Sequence, residues 1–146
     1  MTTDIEDSFK SPAYRSPHSA QYWNGLRQRK IVFQRCKDCA AWTHPPGSQC
    51  TNCLSSNREY VAMGGRGTLY TFTVSRRAMH SEFKKDVPYV LCYVKLDEGP
   101  FIVSWLQEID PGAVQIGMPV EATFEDIDER TTLHRFRPTV AAEVGR

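Results

Sequence analysis

The sequence predicts a mainly β protein: a short N-terminal helix, a small cysteine-rich segment pinned by a metal ion, and a closed barrel of five strands. Three observations carry this prediction. Five stretches between residues 68 and 137 have strand composition or alternation, with short turns and no long helix between them. Two Cys-x-x-Cys pairs lie within residues 36–53, a segment too poor in apolar residues to fold on a core of its own. A stretch with helix-start signals and one apolar face precedes both.

Residues 1–16 carry few apolar side chains and run into Pro12 and Pro17, so they are expected to form a flexible tail. Ser16-Pro17 reads as a helix start, serine as cap and proline at the first helical position. Tyr22, Trp23 and Leu26 then share one face, and Arg27 to Lys30 place cations near the C-terminal end of the dipole, which gives a helix over about residues 17–28. Ile31 to Arg35 reads as a strand leading into Cys36.

From Gly64 the character changes to β. Thr68 to Val74 and Tyr89 to Leu96 are strands, Asp97-Glu98-Gly99-Pro100 is a turn, and Phe101 to Leu106 returns. After the turn at Asp110-Pro111-Gly112, Val120, Ala122 and Phe124 alternate with polar partners, and Thr132 to Arg137 supplies the fifth strand. The expected division is a tail at 1–16, helix and cysteine segment at 17–62, barrel at 63–140, and a C-terminal tail at 141–146.

Composition bounds the function. Of 146 residues, 40% are hydrophobic and 24% charged, an ordinary balance for a folded domain, and no apolar run approaches a membrane span. The N-terminus lacks the basic start and apolar run of a signal peptide, so a cytoplasmic protein is expected. In that reducing compartment, paired cysteines point to metal rather than to lasting disulfides. A formal net charge of +1 supplies no strong global field for nucleic acid.

Cys36-Lys37-Asp38-Cys39 and Cys50-Thr51-Asn52-Cys53 have the form of two metal-binding knuckles. Each tight Cys-x-x-Cys turn sets two thiolates on one side, and two turns face to face complete a tetrahedron for one zinc ion. Pro45-Pro46-Gly47 can return the chain sharply between them. Redox pairs are the other reading, but such a pair is normally single and precedes a helix in a βαβ unit, which this segment lacks. Four sulfurs leave no position for water, so the zinc is structural, and His44 is not needed as a ligand. Cys92, in an apolar strand, reads as a small buried hydrophobe.

Several further stretches join this pattern: Tyr22-Trp23-x-Gly25-Leu26, Gln34-Arg35-Cys36, Gly65 to Val74, Val87-Pro88-Tyr89, Leu96 to Pro100, Ile116 to Val120, and Phe136-Arg137-Pro138. Together, over about residues 20–138, they resemble the zinc-ribbon/OB-fold family associated with acyl-CoA enzymes. The resemblance implies an N-terminal helix, a rubredoxin-like zinc ribbon and a C-terminal five-stranded OB-fold barrel. It also implies a non-catalytic subunit in a hetero-oligomer with a thiolase-like enzyme (a thiolase, an acyltransferase or an aldolase), similar in kind to the small subunit of benzoylsuccinyl-CoA thiolase. The catalytic residues would then be the partner's. Gly47 is a departure, since many members carry arginine after the two prolines.

The chain itself shows no nucleophile motif around His18, His44, His80 or His134. The acidic run 125–129 reads as a solvated turn, and Gly64 to Gly67 lacks the lysine and hydroxyl of a P-loop. Residues 75–88 carry Arg76, Arg77, Lys84 and Lys85. They read either as a solvated loop or as a docking surface whose cations hold the phosphates of CoA or acyl-CoA while Met79 and Phe83 pack on the partner. A single-stranded nucleic-acid module is the alternative. Tyr70, Phe72, Tyr93, Trp105 and Arg135 would serve it, though their alternation suits a barrel core better.

Overall fold

Pro17 sets the first turn of the N-terminal helical segment in the computed structural model, which describes residues 10–12 and 15–139. Pro17–Ser19 is a 3-10 turn and Ala20–Arg27 is the helix α1. Ser16 does not cap through its side chain; the Ser19 hydroxyl instead donates to the Ser16 carbonyl at 2.7 Å. The helix buries Tyr22, Gly25 and Leu26, with Trp23 half-buried beside them.

Three short strands follow: β1 (Val32–Cys36), β2 (Trp42–Thr43) and β3 (Arg58–Ala62). They form an antiparallel sheet in the order β2-β1-β3. The expected strand is β1. The other two are too short, or too irregular in composition, to show a two-residue period, and they are extended because β1 gives their backbones a partner.

The five expected strands are β4 (Arg66–Ser75), β5 (Tyr89–Leu96), β6 (Phe101–Leu106), β7 (Pro119–Asp126) and β8 (Thr132–Pro138). They close in the order β4-β5-β6-β8-β7. Every pairing is antiparallel except β6 with β8, where Leu106 faces Phe136. Closure depends on Gly67, which pairs with Leu96 of β5 on one side and Val120 of β7 on the other. A Cβ at Gly67 would lie 2.5 Å from the Lys95 carbonyl oxygen, so only glycine lets the strands approach this closely. Leu69, Val94, Leu96, Ile102, Val120 and Phe136 are fully enclosed inside the barrel.

One apolar cluster runs from the barrel into the helix and ribbon through Tyr22, Leu26, Ile31 and Phe33. Of the expected 1–16 tail, residues 1–9, 13 and 14 lie outside the described residues, as do residue 140 and the expected tail at 141–146. Lys10 forms an ion pair with Asp86 at 2.7 Å, Ser11 shares a 2.6 Å hydrogen bond with Thr131, and Arg15 donates to the Arg130 carbonyl and to Thr131. Among the described residues no helix is long and apolar enough to cross a membrane.

Two histidines sit where helix, ribbon and barrel meet. His44 stacks on Phe33 at 4.3 Å between ring centroids and meets Tyr22 edge-on at 5.2 Å. Its Nδ1 has no hydrogen-bond partner, and burial lowers its pKa to about 4. His134 packs near Tyr22 and Phe136, with Nδ1 2.9 Å from the Ser104 hydroxyl, and burial lowers its pKa to about 3. Both rings are therefore neutral in the folded protein. Between their folded values and the unfolded value of 6.5 the unfolded chain binds more protons, so their stabilising effect is complete above pH 6.5 and is lost as pH falls toward 4. His44→Phe keeps the stack and removes one titration. Chemical denaturation at pH 7 and pH 5 is expected to show about 2 kcal/mol less acid loss for the variant than for the wild type.

Candidate metal centre and interaction surfaces

The four expected cysteines converge. The Sγ atoms of Cys36, Cys39, Cys50 and Cys53 all lie within 4.8 Å of one another, with Cys36–Cys53 and Cys39–Cys50 at 3.6 Å. A tetrahedron with zinc–sulfur bonds of about 2.3 Å has edges of about 3.8 Å, so the cluster already has the size zinc needs. Among the described residues no other side chain joins the set, and His44 lies outside it.

The two knuckles repeat one local design. The Ala40 amide donates to the Cys36 carbonyl at 3.0 Å, and the Leu54 amide donates to the Cys50 carbonyl at 3.0 Å. Ala40 and Leu54 both have left-handed backbone, with φ of 66° and 65°. Amides also point at sulfur: Cys39 N–H at Cys36 Sγ (3.5 Å) and Asn52 N–H at Cys50 Sγ (3.3 Å). Such donors orient thiolate ligands and offset their charge. Asp38 ties the knuckles together by accepting from the Asn57 amide side chain and the Ser55 hydroxyl, which holds its carboxyl below the usual range, Ser55 contributing most.

Crowding pushes the thiols apart in acidity and makes a dication favourable among them. The Asn52 side chain, with the Ala41 backbone, lowers the Cys39 thiol to about 6. At Cys53 a Ser55 backbone bond pulls down, but the neighbouring sulfurs outweigh it and raise the thiol to about 12. Four thiolates this close repel one another unless a dication sits among them.

Behind the knuckles, Gln34 holds the proline loop. Its side-chain amide donates to the Gly47 carbonyl at 2.9 Å and accepts from the Gly47 amide at 3.2 Å. A Cβ at Gly47 would meet nothing within 4 Å, so close packing does not require glycine here.

Comparison with known proteins fits this geometry. Residues 23–58 match the rubredoxin-like zinc ribbon domain of ChsH2, and residues 60–125 match its C-terminal OB-fold domain. A DUF35 domain-containing scaffold protein of Methanocaldococcus jannaschii is 33% identical over 73% of this chain and 77% of its own length. The chain belongs to the DUF35 family. A solved structure described as Ltp2-ChsH2(DUF35) aldolase superposes with a TM-score of 0.79 and 36% identity, covering 89% of this chain and 100% of that one. A probable enoyl-CoA hydratase alpha subunit of Thermomonospora curvata is 37% identical over 86% of this chain. This DUF35 chain spans 39% of that subunit and 41% of a 3-oxo-4,17-pregnadiene-20-carboxyl-CoA hydratase alpha subunit of Mycobacterium tuberculosis, to which it is 30% identical.

The other expected site residues lie on the loop between β4 and β5. Arg76, Arg77, Lys84 and Lys85 are exposed, and Met79 is 82% exposed. Phe83 instead turns onto the barrel, 5.9 Å from the Trp105 ring and 6.3 Å from Tyr89. Lys85 shares a groove with Glu82, Asp86, Glu125 and Asp126, a poor setting for a polyphosphate.

Of the aromatic residues considered for nucleic acid, Tyr70 and Tyr93 lie outside the barrel, whereas Phe72 and Trp105 are half-buried. Arg135 is buried, paired to Glu125 at 2.9 Å and stacked 4.3 Å over Trp105. Reading these residues as barrel interior missed an exposed apolar face. The signal was present in β5, where Tyr89, Leu91 and Tyr93 alternate with Val90, Cys92 and Val94, so that both faces are apolar.

Left-handed alanine costs about 1–2 kcal/mol relative to glycine at the same angles. Ala40→Gly is therefore expected to raise the stability of the zinc-loaded protein by about 1 kcal/mol, measured by chemical denaturation with zinc content unchanged.

Proposed function

We propose that this chain is a non-catalytic, zinc-binding subunit of an acyl-CoA-processing complex. The observation that carries the reading is its similarity, over most of its length, to a chain from a solved aldolase assembly and to parts of two CoA-hydratase alpha subunits. The partner is an acyl-CoA enzyme of the aldolase, hydratase or thiolase kind, joined to this chain in a hetero-oligomer.

The chain's own chemistry supports the division of labour. Cys92 is 1% exposed and burial pushes its thiol to about 12, which removes it as a nucleophile. Ser104 and His134 hydrogen-bond to each other, but Ser104 is buried inside the barrel. The four cysteines are closed around their metal, which when bound supplies structure rather than Lewis-acid chemistry. What remains available is a surface. Arg76, Arg77 and Lys84 are the cations suited to CoA phosphates, since Lys85 stands among carboxylates.

The test is to recover the tagged full-length chain from its host, identify the co-purifying protein by mass spectrometry, and assay both proteins on acyl-CoA. The expected result is an acyl-CoA enzyme whose turnover rises at least tenfold when the chain is added. Turnover by the chain alone, or full activity of the enzyme without it, would contradict the proposal.

A further inference from the structure

The outer face of β5 and β6 is unlike the rest of the surface. The barrel is closed, so no strand edge is open for pairing, and any contact here must be made by side chains. Along β5 and β6 the outward positions alternate with core residues. They are Tyr89, Leu91, Tyr93 and Lys95 on one strand, and Phe101, Val103 and Trp105 on the other. Opposite them on β4, across the ladder, stand Thr71, Thr73 and Ser75, with Tyr70 thrown outward at the register shift between Leu69 and Thr71. Lys95, at one end, is the single charged side chain in the group.

The rings are arranged as a ladder. Tyr93 stacks on Phe101 at 4.9 Å between centroids, and Tyr70 meets Phe101 edge-on at 5.1 Å. At the other end Tyr89 stacks on Trp105 at 4.3 Å. That end has cover within the chain, because Phe83 and Lys10 pack against Trp105. Among the described residues the middle has none: Tyr70 is 57% exposed, Val103 55%, Leu91 38% and Tyr93 37%. With about 150–250 Å² for each aromatic side chain and somewhat less for valine and leucine, these four side chains expose roughly 350 Å². Contiguous apolar patches of this size, on a barrel already full inside, are often interaction sites.

Charge and area select the occupant. A nucleic-acid strand needs cations interleaved with the aromatic platforms along its path; Lys95 stands at one end, and the two cations over Trp105 at the other, Arg135 and Lys10, are already paired with Glu125 and Asp86. An obligate dimer of this chain would need more than about 1,000 Å² from each copy, whereas a heteromeric contact needs about 800 Å² with an apolar centre and a polar rim. The face supplies the centre. The adjoining β4–β5 loop supplies a cationic rim through Arg76, Arg77 and Lys84.

We infer that the outer face of β5 and β6, centred on Tyr93 and Val103, docks on an uncharged apolar patch of the catalytic subunit, with the exposed β4–β5 loop at the rim of the contact. The inference rests on the proposed function and names the surface through which it operates. Both central side chains point away from the barrel core, so their replacement leaves the enclosed interior unchanged.

The experiment uses the acyl-CoA enzyme recovered with the wild-type chain. Its affinity is measured by calorimetry for wild type, Val103→Asp and Tyr93→Ala, with Glu129→Lys in the turn between β7 and β8 as control. Zinc content and circular dichroism report folding. The expected losses are at least a hundredfold for Val103→Asp and about tenfold for Tyr93→Ala, with the control unchanged. Should Val103→Asp misfold, Tyr93→Ala decides alone. Wild-type affinity in the folded variants overturns this docking face and leaves the proposed function standing. Recovery of no acyl-CoA enzyme with the wild-type chain overturns both. A dimer that the variants dissociate while enzyme binding is unchanged, or salt-sensitive oligonucleotide binding that they abolish, also overturns it, by assigning the face to another occupant.

Discussion

Four sulfur atoms within 4.8 Å of one another are the constraint from which the N-terminal half of this molecule follows. Between Cys36 and Cys53 the ring contacts with the shared core are those of Trp42 and His44 on Phe33, and the two left-handed turns at Ala40 and Leu54 are held against their own backbone preference. A dication among the thiolates converts their mutual repulsion into cohesion and fixes both knuckles at once. Cys36 is also the last residue of β1, so the same bonds anchor the strand that carries Phe33 and Gln34. Phe33 then stacks on His44 in the shared core, and Gln34 reaches the Gly47 backbone. A metal held by these four sulfurs would set the position of the ribbon against helix and barrel without any chemistry of its own.

The barrel depends on different physics. Its interior is filled by enclosed aliphatic side chains and Phe136, and its closure needs the missing side chain at Gly67. The two halves meet at Tyr22, His44 and His134, where burial keeps both imidazoles neutral. A junction made of apolar contacts and unionised rings gives one continuous core while leaving the exposed faces of each half free for other contacts.

Much of this was legible in the sequence, for identifiable reasons. Cysteine spacing reports a metal site directly, and alternation reported the five barrel strands with β5 and β6 at their observed bounds. The strands β2 and β3 were not legible, because two and five residues among polar and proline-rich neighbours become extended only through their partner β1. The direction of the aromatic side chains was also hidden. Alternation separates two faces of a strand but does not say which one is inside when both are apolar, as in β5. The register shift that turns Tyr70 outward has no sequence signature at all.

A metal ion that holds the ribbon, where apolar contacts are few, should leave the barrel standing when it is removed. Hydrogen exchange measured residue by residue, on the protein as purified and after chelation of its metal, tests this most directly. The account predicts about one equivalent of zinc per chain. It further predicts fast exchange across residues 36–57 once the zinc is removed, with protection retained in β5, β6 and β8. Unchanged protection of the ribbon in zinc-free protein, or a purified chain with less than about half an equivalent of bound metal, would contradict it.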